Sequence, residues 1–107
     1  MKRIAIPANM LAFQLGESTQ IHTGGSLMAT PHCVVRSPEL AEKKIARTAF
    51  ALFMQSDPLE VMTVPEGVDP LKVSMNEASQ VPPIMERWVN GMYFKEFHQK
   101  TLMTYAK

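Results

Sequence analysis

Apolar and polar residues alternate in three parts of the first half of the chain, and this pattern predicts three β-strands. In residues 10–15, "MLAFQL", Leu11, Phe13 and Leu15 share one face. Residues 26–35 form a second candidate strand, in which Pro31 favours an edge position or a bulge because proline cannot donate to a ladder. The third is "KIARTAFALFMQ", residues 44–55. Strand parity places His32 on one face of the second strand and Arg47 on one face of the third.

The segments between and after these strands carry different signals. "ESTQIHTGG", residues 17–25, predicts a turn or one short helical turn, and residues 36–44 predict a solvent loop. Prolines at 58, 65 and 70 leave room for at most one short strand, near residues 61–64. Beyond Pro82 and Pro83, apolar residues recur every three or four positions, which predicts two amphipathic helices divided at Asn90 and Gly91.

These elements predict an α+β fold in a single domain, residues 1–107. Strands at about 10–64 would form an antiparallel sheet, and a helical segment at about 82–106 would follow. So few strands leave a sheet edge and an apolar face without a partner. We therefore expect that the chain can form a homo-oligomer through exposed strand edges.

Composition narrows the class of protein. Eleven Lys and Arg residues against ten Asp and Glu give a net charge of +1, too low for a nucleic-acid partner. No apolar run approaches the roughly 20 residues that span a bilayer, so we expect no membrane partner. The single cysteine, Cys33, excludes an internal disulfide and favours a reducing, cytoplasmic location.

His32 and Arg47 are the candidate site residues. A histidine on an apolar strand is either a metal ligand or, more often, a hydrogen-bonded residue of the core or rim. A guanidinium in an alternating strand either binds a carboxylate ligand or forms a cross-strand ion pair. For His22 and His98 we expect solvated positions, and for Cys33 a packing role.

The order of these residues resembles a known family. Gly16 and Glu17, then "QIHTGG", "SLMATPHCVV" and "RTAFALF", are similar to the distal half of the jelly-roll core of isopenicillin N synthase-like oxygenases, which depend on iron(II) and 2-oxoglutarate. The resemblance implies a partial double-stranded β-helix with antiparallel strands and C-terminal helices. It implies that His32 is the distal histidine ligand of iron and that Arg47 binds the far carboxylate of 2-oxoglutarate. It also implies a small-molecule substrate.

The chain departs from the family pattern at three points. Ala49 stands where the R-x-S motif has serine, which removes one hydroxyl donor, and the spacing from His32 to Arg47 is longer than in the family. The family supplies the other two iron ligands as H-x-D or H-x-E, and none of the three histidines here has a carboxylate two residues later.

We therefore interpret the chain as the C-terminal part of an oxygenase whose first two ligands would precede Met1, inactive alone. Two alternatives remain open. One is a non-catalytic jelly-roll interaction module that self-associates. The other is a metal-free jelly roll that binds a small carboxylate through Arg47.

Overall fold

A computed structural model describes residues 1–106 of the chain. Its helices are α1 (Glu17–His22), α2 (Pro38–Glu42) and α3 (Phe94–Tyr105), and its strands are β1 (Val61–Met62) and β2 (Met92–Tyr93). Two short 3₁₀ helices, Pro70–Ser74 and Ile84–Glu86, lie between the strands.

The two strands pair antiparallel, with Val61 opposite Tyr93 and Met62 opposite Met92. Gly91 precedes β2 at a φ of +94°, a backbone conformation that favours glycine. The N–H of Gly91 donates to the carbonyl oxygen of Met62 at 3.0 Å, and the N–H of Phe94 donates to Glu60 at 2.8 Å. This confirms the short strand predicted near residues 61–64.

The hydrophobic core lies between α1, the strand pair, both 3₁₀ helices and α3. Its members are Ile21, Met62, Val73, Ile84, Trp88, Phe94 and Phe97. Trp88 is 1% exposed, and its indole N–H donates to the carbonyl oxygen of Met62 at 2.9 Å. A buried tryptophan needs such a partner for its one donor. The core therefore joins a helix from the first half of the chain to elements of the second half.

The helical prediction for the C-terminal segment is confirmed for its second piece and wrong for its first. Phe94 and Phe97, one turn apart on α3, are both buried, as the amphipathic spacing predicts. The first piece is reduced to the 3₁₀ turn Ile84–Glu86. Pro82 and Pro83 stand before this turn and the Asn90–Gly91 turn follows it, so the helical stretch is short, and it takes the 3₁₀ form that is used in short pieces.

The three segments predicted as strands carry neither helix nor strand in the described chain. Residues 10–15, 26–35 and 44–55 are mostly exposed, and Phe13 and Phe50 are 89% and 99% exposed. An alternating segment forms a strand only when a neighbouring strand pairs with its backbone groups. The double-stranded β-helix therefore stays a prediction. The predicted loop at residues 36–44 contains α2, which has no buried residue.

A helix needs about 20 mostly apolar residues to span a bilayer. Within residues 1–106, no helix combines the length and the apolar character needed to cross a membrane.

Candidate functional site

His32 lies at the surface, in the segment that follows α1 and its glycine turn. The imidazole is exposed, and its Nδ1 atom lies 2.9 Å from the carbonyl oxygen of Thr30. A carbonyl oxygen can only accept, so this hydrogen bond requires the hydrogen to be on Nδ1. In that tautomer the other ring nitrogen, Nε2, keeps its lone pair. The local geometry therefore leaves His32 able to act as a nitrogen ligand through Nε2.

An open groove of about 480 Å³ lies beside His32. Its volume falls in the range of small-molecule sites, roughly 300–1,000 Å³. Most of its lining is apolar, and the polar side chains at its wall include Glu17, Gln20, His32 and Glu77. Glu77 also accepts a hydrogen bond from the N–H of Ile84 at 3.1 Å.

Arg47 is placed elsewhere. It is exposed, it lies in a segment without regular secondary structure, and it does not line this groove. The structure therefore does not bring the two candidate residues into one pocket. The described salt bridges also do not include Arg47, so the cross-strand ion pair considered from the sequence is not seen in residues 1–106.

The arginine that is buried is Arg87, which sequence reasoning did not single out. It is 1% exposed and forms a two-pronged ion pair with Glu17, at 2.6 Å from Nη1 to Oε2 and 3.0 Å from Nη2 to Oε1. Nη1 also donates to Thr101 at 2.9 Å, and Nη2 donates to the carbonyl oxygen of Pro82 at 2.9 Å. The guanidinium carbon lies 5.5 Å from the centre of the Phe97 ring.

The Glu17–Arg87 pair joins the start of α1 to the C-terminal half of the molecule. Glu17 is the acidic residue of the first turn of α1, a favourable position in the field of the helix. Arg87 could have been found in the sequence by the argument used for Arg47, because a guanidinium inside an apolar pattern needs a partner. Arg87 stands directly before Trp88 in such a pattern.

The second residue that sequence reasoning missed is Gln20. Its side chain is buried in α1 and hydrogen-bonds two other segments of backbone, at Val73 and at Ala29. A glutamine that is 2% exposed is uncommon, because a buried amide must satisfy both donor and acceptor. Nothing in the alternation of residues 10–35 distinguishes Gln20 from an exposed polar residue.

An iron centre of the kind that the resemblance implies needs several protein ligands close together. Three protein ligands form the site expected for this chemistry, and residues 1–106 contain no group of three or more His, Cys, Asp or Glu side chains that could hold a metal. His32 fits the role of one ligand, but the described residues do not form a complete centre. His98, in contrast, stacks on Phe94 with ring centroids 5.4 Å apart.

No protein-family model, curated protein or solved structure matches this chain. The roles considered for His32 and Arg47 therefore rest on the order of residues along the chain and on the geometry described above.

Proposed function

We propose that this chain is the distal part of an oxidoreductase, an iron(II)- and 2-oxoglutarate-dependent dioxygenase. His32 is one ligand of iron in this proposal, and Arg47 is the anchor of the cosubstrate carboxylate. The observation that carries it is the order of Gly16 and Glu17, His32 and Arg47 along the chain. The surface position of His32, with Nδ1 bound to Thr30, supports a ligand role for Nε2.

The remaining two ligands, H-x-D or H-x-E, would come from polypeptide outside these 107 residues. When bound, iron(II) supplies coupled oxygen activation and oxidative decarboxylation of the 2-oxo acid in enzymes of this kind. This chain contributes a neutral imidazole nitrogen and a guanidinium whose forked N–H groups suit a carboxylate. Ala49 has no hydroxyl group to donate to that carboxylate, so Arg47 binds it with fewer additional hydrogen-bond donors.

The substrate class and the compartment are also part of this proposal. A net charge of +1 gives no basic surface field for nucleic acid, and the resemblance to the oxygenases implies a small-molecule substrate. The single cysteine, which is exposed, suits a reducing compartment, and we assign the protein to the cytoplasm.

The proposal is tested by anaerobic titration of the chain with iron(II) and 2-oxoglutarate. Chelation of iron by a 2-oxo acid gives a weak visible absorption band, and the same mixture without protein is subtracted. We expect a chain-dependent band that disappears in His32→Ala and persists in His98→Gln, the matched control. Arg47→Ala should raise the concentration of 2-oxoglutarate that is needed to reach half of the maximal band.

A second candidate function is a non-catalytic interaction module. The large exposed apolar residues of residues 1–16 and 45–54 favour it, because such surface on a monomer marks interaction sites. In the same samples, no chain-dependent band together with a monodisperse dimer in sedimentation would favour the module over the oxygenase.

A further inference from the structure

Gln20 connects three separate parts of the chain through one side-chain amide. Its Nε2 donates to the carbonyl oxygen of Val73 at 2.7 Å, and its Oε1 accepts from the N–H of Ala29 at 2.9 Å. A carbonyl can only accept and an N–H can only donate, so these two partners fix the orientation of the amide. Gln20 thereby ties the backbone at Ala29 to the buried side of α1.

Ala29 is the last residue before His32 whose backbone N–H donates a hydrogen bond. Pro31 has no N–H group, and the backbone N–H groups of the other residues in 30–36 donate no hydrogen bond within the described structure. The one polar contact of the His32 ring is to the carbonyl oxygen of Thr30, the residue next to Ala29. The position of the imidazole therefore depends on the backbone that Gln20 holds.

We propose that Gln20 is the positioning residue for His32. The Gln20 amide fixes the backbone at Ala29, and this fixes the position of the next residue, Thr30. The carbonyl oxygen of Thr30 then selects the Nδ1–H tautomer of His32. Nε2 is left as the nitrogen that can bind a metal. A ligand must be held to within about 0.5 Å of its productive position, which a segment with no other backbone hydrogen bond does not achieve by itself.

The positioning role stands on these hydrogen bonds, whereas its value for iron binding rests on the proposed function. The two are therefore measured separately. Gln20→Met removes both hydrogen bonds at nearly constant volume. Gln20→Glu keeps an acceptor for Ala29 and, in its ionised form, loses the donor to Val73. The control is Ile21→Val, which lowers the stability of the same helix and leaves both hydrogen bonds in place.

The first readout needs no metal. In Gln20→Met we expect amide exchange at Ala29 to accelerate by roughly tenfold relative to the Ile21→Val control. At alkaline pH the ¹⁵N signals of the His32 ring should move away from the Nδ1–H form. Gln20→Glu should restore protection of Ala29. Unchanged Ala29 exchange and unchanged His32 signals in Gln20→Met would overturn the proposal, because Gln20 would then act on stability alone.

The second readout uses iron(II) and 2-oxoglutarate as probes. If the wild-type chain gives the band that His32→Ala abolishes, Gln20→Met should raise the iron concentration needed for half of the signal by about tenfold. An unchanged midpoint would overturn the link from Gln20 to the ligand. If the wild-type chain gives no band, the proposed function fails, and the Ala29 and His32 signals alone decide the positioning role.

Discussion

At the scale of single residues, the molecule is organised by two buried polar side chains rather than by the exposed candidates. Arg87 and Gln20 each connect α1 to segments that are distant along the chain. A buried cation is tolerated only when it is neutralised and hydrogen-bonded. Glu17, Thr101 and the carbonyl oxygen of Pro82 meet this requirement for the Arg87 Nη atoms, whereas Nε has no hydrogen-bond partner.

Glu17→Gln should destabilise the protein, because it leaves the charge of Arg87 buried without its counter-ion. We expect a loss of about 3 kcal/mol in the free energy of unfolding, measured with urea. Glu39→Gln, at an exposed acidic residue in the first turn of α2, is the control and should change it by less than about 0.5 kcal/mol.

The double variant Glu17→Gln, Arg87→Met separates charge from packing. Since no unpaired charge remains, it should recover much of the lost stability. Equal stability of Glu17→Gln and the control would contradict the structural role of the ion pair.

At the scale of elements, features set by nearby residues could be predicted from the sequence. The turn at Asn90–Gly91, the short strand β1 and the second helical piece depend on local signals, namely a glycine, prolines and a three-to-four periodicity. The strands predicted at 10–15, 26–35 and 44–55 depend on partners far along the chain or outside it. The alternation indicates which side chains share a face that could be buried, but it does not identify the strand that would pair with the segment.

The same distinction applies to the candidate site. His32 and Arg47 could be singled out by residue type and order, but their separation in this structure could not be predicted. The partners of Gln20 at Ala29 and Val73 lie 9 and 53 residues away, and no local pattern encodes such contacts.

The close approach of the turn after α1 to the first 3₁₀ helix gives a prediction at this scale. Gly25 has a φ of +85°, and a Cβ built on it would lie 2.5 Å from the carbonyl oxygen of Lys72. Gly25→Ala should therefore cost about 3 kcal/mol in thermal or urea unfolding.

Gly67→Ala is the matched control for this clash. Gly67 has a similar φ of +80° but open space around it, so its substitution should cost only about 1 kcal/mol from backbone strain. If the two variants lose the same stability, the contact between this turn and the 3₁₀ helix does not matter to folding.

At the scale of the whole molecule, the chain is less compact than its length allows. Its radius of gyration is 16.5 Å, compared with about 13 Å for a compact domain of this size. Its accessible surface is 9180 Å², compared with about 6,000 Å² for a folded monomer of this mass. The excess of about 3,000 Å² exceeds what one partner contributes to a standard interface. A second copy of the chain, or another polypeptide packed against it, would reduce this surface.

In the proposed function His32 is the metal ligand of this chain, and locating a bound ion is the sharpest test of that role. Manganese(II) is paramagnetic and accepts imidazole and oxygen ligands, so it broadens the NMR signals of nearby amides in the ¹⁵N-labelled chain. We expect the strongest broadening at residues 30–34, its spread to residues 46–48 when 2-oxoglutarate is added, and its loss in His32→Ala. Broadening centred on His22 or His98, or unchanged in His32→Ala, would show that His32 is not the ligand.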